Sequence, residues 1–245
     1  MTRALVTGSR GDALCLALRE RGWEPLAVPM ITIQPVPAGG PLDAALGRLD
    51  AFSWVVVTSA NGADGVVARA RALGVPVPGR PRWAAVGPRT QRTLERAGIG
   101  VAFVPPEQTG AAIAAGLGDL SGRQVLLPRA AGAGSDLPAA LAARGAVIEA
   151  VLAYETLEGP DASRAPLAAA LAGGVEAIVF TSGSTVRGFA RLTGNPVRAA
   201  AGARIICLGP ATARAAQAAG LEVAAIAAER TPAGLVRALQ GRKAS

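Results

Sequence analysis

Four short loops of this sequence combine hydroxyl groups with small residues, and each lies between an apolar run and an alanine-rich segment. Hydroxyls and backbone amides placed just before a helix can bind a carboxylate or a phosphate. Helix capping is the alternative role, because Ser, Thr and Asn are ordinary N-cap residues. We expect a ligand site, since the loops form two matched pairs. Their residues are Thr58, Ser59, Ala60 and Asn61; Gly87, Pro88, Arg89 and Thr90; Thr181, Ser182, Gly183 and Ser184; and Gly209, Pro210, Ala211 and Thr212.

The composition excludes several kinds of catalysis. The chain has no His, which rules out a His general base, a His metal ligand and a Ser-His-Asp triad. Its two cysteines, Cys15 and Cys207, lack the close spacing of a thiolate metal centre. Its single lysine, Lys243, lies near the C-terminus, where a buried Schiff-base lysine is not expected. None of the four loops has a P-loop or dinucleotide glycine pattern, so a nucleotide-using enzyme is disfavoured. The composition thus disfavours both a metal centre and a nucleotide cofactor.

The charge balance favours an anionic small molecule over a nucleic acid. The formal net charge is +8, from 25 basic and 17 acidic residues. A basic surface attracts phosphates of any sequence, but here the arginines are scattered singly and aromatic residues make up only 3% of the chain. Arginine-rich compositional bias explains the charge equally well. We therefore expect no nucleic-acid partner.

The length and hydropathy indicate a globular, cytoplasmic protein. With 245 residues and 51% hydrophobic content, the chain can form one or two domains with packed cores. Charged residues or glycine interrupt every apolar stretch, so we expect no membrane span. The first residues, MTRALVTGSR, resemble a strand and a turn rather than a signal peptide. Two cysteines within apolar segments are typical of a reducing compartment.

An internal repeat of about 120 residues organises the chain. The aligned pairs are residues 4–6 with 125–127, 54–61 with 177–184, 86–90 with 208–212, and Thr109 with Thr231. Within each repeat, short apolar runs alternate with alanine-rich segments of helical period that end near a glycine. Continuously apolar runs are typical of strands covered on both faces. This alternation predicts two lobes with doubly wound parallel sheets of the α/β class.

Two longer stretches, near residues 25–38 and 146–157, break this alternation and occupy equivalent places in the repeat. They could pair as antiparallel connector strands between two lobes. The chain would then pass between the lobes twice. We therefore predict a discontinuous first lobe formed by residues 1–34 and 158–245, and a second lobe formed by residues 39–150.

An ordered set of motifs extends over essentially the whole sequence. In chain order the motifs are LVTGSR, WVVVTSANG, AVGPRT, LLPRA, LAYETLEG, IVFTSGSTVRGF, CLGPATARAAQAAGLEV and TPAGLVRAL. This set resembles the uroporphyrinogen-III synthase family. The resemblance implies two α/β lobes joined by a two-stranded β-ladder, and an enzyme that needs neither metal nor cofactor.

The resemblance also implies a reaction and a substrate. Members of the family are cyclising hydro-lyases of tetrapyrrole biosynthesis that close linear hydroxymethylbilane into uroporphyrinogen III, with loss of water and inversion of the last pyrrole ring. Such an enzyme must hold an octacarboxylate in shape and shield a cation from water. We expect a monomer that receives its substrate from hydroxymethylbilane synthase.

The family motifs assign roles to individual residues. Tyr154 of LAYETLEG aligns with the tyrosine that donates a proton to the departing hydroxyl; packing at a lobe junction is its alternative role. Arg129 of LLPRA is expected to bind a substrate carboxylate or, alternatively, to form a surface salt bridge. Arg10 lies two residues from the family's usual arginine and receives no role. The expected substrate-binding residues are Thr58, Ser59, Ala60, Asn61, Gly87, Thr90, Arg129, Ser182, Gly183, Ser184, Gly209, Thr212 and Thr231.

A second class of protein also fits this sequence. A two-lobed sensor could close on a small anion or a tetrapyrrole with the same loops and perform no chemistry. Turnover of hydroxymethylbilane distinguishes the two hypotheses.

Overall fold

The computed structural model describes residues 2–8 and 12–241, with Asp12 described by its backbone only. Arg10 and Lys243, both considered above, lie outside the described residues. In chain order the strands are β1 (Thr2–Val6), β2 (Trp23–Ala27), β3 (Ile31–Pro35), β4 (Trp54–Val57), β5 (Arg82–Ala85), β6 (Val101–Phe103), β7 (Gln124–Ala130), β8 (Val147–Glu158), β9 (Ala177–Phe180), β10 (Arg204–Cys207) and β11 (Val223–Ile226).

Helices connect most of these strands, as the alternation in the sequence predicts. In chain order the helices are α1 (Asp12–Arg19), α2 (Pro41–Gly47), α3 (Ala60–Leu73), α4 (Pro88–Arg96), α5 (Gly110–Gly116), α6 (Asp136–Ala142), α7 (Arg164–Ala172), α8 (Gly183–Thr193), α9 (Pro196–Ala199), α10 (Pro210–Ala218) and α11 (Pro232–Gln240). Short 3-10 turns lie at Leu49–Ala51 and Asp161–Ser163.

The strands form two sheets with the same order of repeat positions. The five-stranded sheet has the order β11-β10-β9-β1-β2, and the six-stranded sheet has the order β3-β8-β7-β4-β5-β6. The sequence repeat aligns β1 with β7, β9 with β4, β10 with β5 and β11 with β6, so the two orders match and β3 is an extra edge strand. All neighbouring strands of the five-stranded sheet are parallel, and so are the neighbouring strands of the six-stranded sheet from β8 across to β6. The predicted α/β class with doubly wound parallel sheets is confirmed.

Each sheet is packed on both faces. In β9, Ile178 and Phe180 join one buried apolar cluster, while Ala177 and Val179 join another. The strand β4 divides its side chains in the same way between two other clusters. Because successive side chains of a strand point to opposite faces, this division requires helices on both sides of the sheet. The continuously apolar runs of the sequence are thereby explained.

The chain divides into two compact units. One unit contains the residues up to Thr32 together with those from Thr156 onward, and the other contains Ile33–Glu155. The chain passes from one unit to the other within β3 and again within β8, which are neighbours in the six-stranded sheet. We refer to these as the discontinuous unit and the central unit.

The stretch near residues 25–38 is not one connector strand, as the sequence suggested, but two strands in different sheets. The strand β2 belongs to the five-stranded sheet and β3 to the six-stranded sheet. Pro29 lies between them and has no N–H to donate, whereas the N–H groups of Val28 and Met30 bond to carbonyls at the end of β1. The second stretch forms the single strand β8.

Two glycines allow a helix to approach the backbone beside it very closely. A Cβ added to Gly65 of α3 would lie 2.7 Å from the carbonyl oxygen of Ala153, and one added to Gly188 of α8 would lie 2.0 Å from that of Met30. The two glycines occupy equivalent positions in the repeat. Close packing at Gly65 holds the N-terminal half of α3 against β8, next to Tyr154.

Candidate active site

Two of the four predicted loops use a serine to cap a helix; we refer to them as the serine-capped loops. Ser59 precedes α3, and its hydroxyl oxygen accepts a hydrogen bond of 3.0 Å from the N–H of Gly62. Ser182 precedes α8 and accepts one of 3.3 Å from the N–H of Thr185, whose hydroxyl in turn accepts one from the N–H of Ser182. Helix capping, the alternative role considered for all four loops, therefore applies to these two loops.

Tyr154 lies beside one of the serine-capped loops. Its phenol oxygen is 3.0 Å from Oγ of Ser59, although the two residues are 95 positions apart in the chain. Tyr154 is only 8% exposed, and its ring belongs to the buried apolar cluster around Val57. The Ser59–Tyr154 pair therefore holds a polar tip on a well-packed aromatic ring.

Proton counting shows what this pair can do. The oxygen of Ser59 already accepts from Gly62, and the two hydroxyls carry two protons but share a single hydrogen bond. One proton thus remains for donation to a third group. When Ser59 donates to Tyr154, the free proton is that of the phenol.

The other two loops, Gly87–Thr90 and Gly209–Thr212, leave their helices uncapped; we refer to them as the Gly-Pro loops. Gly87 precedes α4 and Gly209 precedes α10, and neither glycine provides a side-chain cap. The first turn of each helix contains no acidic residue. The N–H groups at the start of a helix have no partner within the helix, and the helix dipole gives this end a partial positive charge. Both Gly-Pro loops are therefore suited to bind an anion.

A largely buried threonine completes each Gly-Pro loop. Thr90 and Thr212 are 5% and 6% exposed, and neither hydroxyl has a hydrogen-bond partner among the residues that the structure describes. Each threonine is the third residue of its helix, where side chains lean towards the helix N-terminus. Each hydroxyl can therefore donate to, or accept from, a ligand at the loop without giving up a bond within the described protein.

The remaining predicted residues have varied local roles. Thr58 and Asn61 flank the Ser59 cap and are half-buried, while Ala60 is the first residue of α3. Gly183 is the first residue of α8, and Oγ of Ser184 lies 2.9 Å from Oγ of Ser182. Thr231 caps α11 by accepting a hydrogen bond of 3.0 Å from the N–H of Gly234.

Arg129 contacts its own loop. Its guanidinium donates to the carbonyl of Gly134, and the residue is half-buried on β7. Within residues 2–8 and 12–241 it forms no salt bridge, which was the alternative role considered for it. Its remaining N–H groups are available to a carboxylate.

Two residues near the Gly-Pro loops were not singled out from the sequence. The side chain of Gln108 covers Gly87, so that an added Cβ would lie 2.9 Å from the Gln108 amide oxygen. Arg230 lies against Gly209 in the same way, with its Nε 3.2 Å from an added Cβ. Gln108 directly precedes Thr109, and Arg230 directly precedes Thr231. Because the repeat aligns these two threonines, it also places Gln108 and Arg230 at equivalent positions.

A cysteine, Cys207, lies two residues before Gly209. Burial raises the pKa of the Cys207 thiol to about 11, so this thiol is protonated at neutral pH. In the described part of the chain, no group of three or more His, Cys, Asp or Glu side chains could hold a metal ion. None of the helices described is long and apolar enough to span a membrane.

Comparison with known proteins supports the resemblance noted in the sequence. A family model described as uroporphyrinogen-III synthase HemD matches residues 12–237. The porphyrin biosynthesis protein HemD of Ruminiclostridium josui is 28% identical over 88% of the chain, which spans 44% of that longer protein. The uroporphyrinogen-III synthase of Synechococcus elongatus is 28% identical over 77% of the chain and 73% of its own length.

A solved structure agrees with the fold along the whole chain. The crystal structure of a mutant uroporphyrinogen III synthase from the extremely thermophilic bacterium Thermus thermophilus matches with a TM-score of 0.65 and 24% identity, and the match covers 98% of this chain and 99% of that one. The family model covers far more than half of the sequence. This chain belongs to the uroporphyrinogen-III synthase family.

Proposed function

We propose that this protein is a uroporphyrinogen-III synthase that converts hydroxymethylbilane to uroporphyrinogen III. The observation that carries the proposal is the pair of Gly-Pro loops, which recur at the same place in both units with uncapped amides, acid-free first turns and a buried threonine. Together they provide anion sites for a polycarboxylate without placing a strong nucleophile there. Family membership agrees with this choice of substrate.

The reaction needs positioning more than strong acids or bases. The C–O bond of the hydroxymethyl group breaks, and the hydroxyl leaves as water after taking up a proton. The electron-rich pyrrole stabilises the resulting cation, which the substituted α-carbon of the terminal ring attacks to form a spiro intermediate. The bond between that carbon and its original methylene bridge then breaks, the free α-carbon of the ring attacks the released methylene cation, and this α-carbon loses its proton to restore the pyrrole. The protein must fix the geometry of the substrate and keep water away from the cation. Backbone amides suit this task because they bind carboxylates without competing as nucleophiles.

Tyr154 is the proposed proton donor. A phenol carries a proton that it can donate to a departing hydroxyl. The hydrogen bond between Ser59 and Tyr154 supports this role, because it leaves one proton of the pair for an outside acceptor. Because the hydroxyl leaves readily from an electron-rich pyrrole, loss of Tyr154 should slow turnover rather than abolish it.

We further propose a cytoplasmic monomer that needs no cofactor and accepts hydroxymethylbilane from the enzyme that makes it. Both cysteines pack in buried apolar clusters, which agrees with a role as small core residues in a reducing compartment. Membrane and nucleic-acid partners are not part of the proposal.

Isomer analysis tests the proposed function. Purified protein is mixed with freshly prepared hydroxymethylbilane, and the products are oxidised and separated by chromatography. We expect the type III isomer from the protein alone, without added metal or cofactor. If only the spontaneous type I isomer forms, the proposed activity is wrong; binding without type III formation would favour the sensor hypothesis.

A further inference from the structure

Equivalent positions beside the two Gly-Pro loops carry different side chains. Gln108 covers Gly87 in the central unit, and Arg230 covers Gly209 in the discontinuous unit. Both side chains come from the residue before a threonine helix cap, and both lie against the residue that precedes an uncapped helix. The fold thus repeats the contact, while the charge at the contact changes.

The position of Arg230 is electrostatically unfavourable in the absence of an anion. The N-terminus of α10 carries a partial positive charge, and a cation placed there is repelled rather than attracted. The neighbouring Glu229 forms an ion pair of 2.7 Å with Arg237. Among the residues described, no carboxylate forms an ion pair with Arg230. A guanidinium in this place is positioned to bind an anion between itself and the helix.

The other polar groups at this loop can also donate hydrogen bonds to an anion. Thr212 is a largely buried residue in the first turn of α10, and its hydroxyl has no hydrogen-bond partner among the described residues. The amides of Ala211 and Thr212 start a helix of nine residues that has no side-chain cap. A planar guanidinium, a hydroxyl and two amides together form a set of donors that matches the oxygens of a carboxylate.

We propose that Arg230 is a substrate-binding residue, which binds one carboxylate of the substrate together with Thr212 and the first amides of α10. This inference rests on the proposed function and adds a residue to its binding site. The inference also implies a difference between the two Gly-Pro loops in how the nearby arginine is placed. In the central unit the nearby arginine, Arg89, belongs to the first turn of α4 itself, and the neutral Gln108 covers the glycine. The two loops therefore hold their carboxylates with different geometry.

The test compares R230Q with R198Q. The first variant gives the discontinuous unit the same residue that the central unit has at this place. The second variant removes the same charge from the same unit, but at a distant place. Arg198 lies on α9, and α9 is near the C-terminal end of α10, where Val197 lies against Gly220. KM, kcat, the salt dependence of KM and thermal unfolding are measured for both variants and the wild-type protein.

We expect R230Q to raise KM about threefold to tenfold, the range for losing a partly exposed charge-assisted hydrogen bond. The kcat should stay within about twofold, KM should become less sensitive to salt, and thermal stability should be unchanged or higher because a repelled charge has been removed. R198Q should keep the wild-type KM. An unchanged KM in R230Q, or an equal rise in both variants, would overturn the proposal.

Direct binding separates this inference from the proposed function. Titration calorimetry with uroporphyrin, a stable octacarboxylate, reports affinity without turnover. If the wild-type protein forms no type III isomer but R230Q binds uroporphyrin more weakly than R198Q does, the proposed function fails and the role of Arg230 stands. If R230Q and R198Q bind uroporphyrin equally well, the role of Arg230 is wrong whatever the activity.

Discussion

Ser182 and Gly209 follow neighbouring strands of the five-stranded sheet, and each directly precedes a helix. Ser182 caps its helix with its own hydroxyl and shares a reciprocal pair of hydrogen bonds with Thr185. Gly209 has no side chain that could cap its helix, and the hydroxyl of the largely buried Thr212 has no partner in the described part of the chain. The same contrast separates Ser59 from Gly87 in the central unit.

This difference assigns separate tasks to loops that look alike in composition. The serine-capped loops satisfy their own helices, and one of them orients Tyr154. The Gly-Pro loops keep their amides open and have no acidic residue in the first turn, so they remain attractive to carboxylates. We therefore expect substitutions in the serine-capped loops to change stability or proton donation, and substitutions in the Gly-Pro loops to change substrate affinity.

The largest effect is expected from Tyr154→Phe. Phe keeps the ring in its apolar cluster but removes the proton, and we expect kcat to fall about tenfold, less than is usual for a general acid because the hydroxyl leaves readily. The effect on KM should be small. Steady-state kinetics and far-UV circular dichroism measure the change and check the fold, and an unchanged kcat would remove Tyr154 from the mechanism.

Thr212→Val should affect binding alone. Val has nearly the same shape as Thr, and the lost hydroxyl had no partner within the described protein, so we expect the free energy of unfolding to change by less than about 1 kcal/mol. KM should rise about threefold, because one hydrogen bond to the substrate is lost. Kinetics and urea unfolding measure the two quantities. A clear loss of stability with the wild-type KM would show that this hydroxyl has a structural role.

Ser182→Ala should have the smallest effect on catalysis and a measurable effect on folding. Loss of the capping box should lower the free energy of unfolding by about 1 kcal/mol, as for other N-cap serines. KM should remain within about twofold of the wild-type value. If KM instead rises as much as in Thr212→Val, the serine-capped loop also binds substrate and the contrast between the loops does not hold.

Much of the fold could be predicted from the sequence because its signals are local or periodic. The repeat aligned the strands of the two sheets, and the apolar runs at Trp54–Val57 and Ala177–Phe180 indicated strands buried on both faces. The stretch around Pro29 was misjudged as one strand, because its break depends on hydrogen bonds to β1 that the sequence does not display.

The candidate site could be predicted only in part. The positions of the four loops followed from strand ends and glycine, but their composition could not show which helices are capped, because a cap depends on backbone geometry. The contact between Ser59 and Tyr154 joins distant parts of the chain and requires the close packing of α3 on β8 at Gly65. The contact of Arg230 with Gly209 is likewise set by the tertiary structure.

The most direct test of the central claim is the isomer ratio produced by the wild-type protein and by the variant that combines Thr90→Val with Thr212→Val. Both proteins receive the same low concentration of fresh hydroxymethylbilane, and the type I and type III isomers are quantified. We predict mainly type III from the wild-type protein and a clear rise in type I from the variant, because unbound hydroxymethylbilane closes spontaneously. Type I alone from the wild-type protein, or the same ratio from both proteins, would contradict the account.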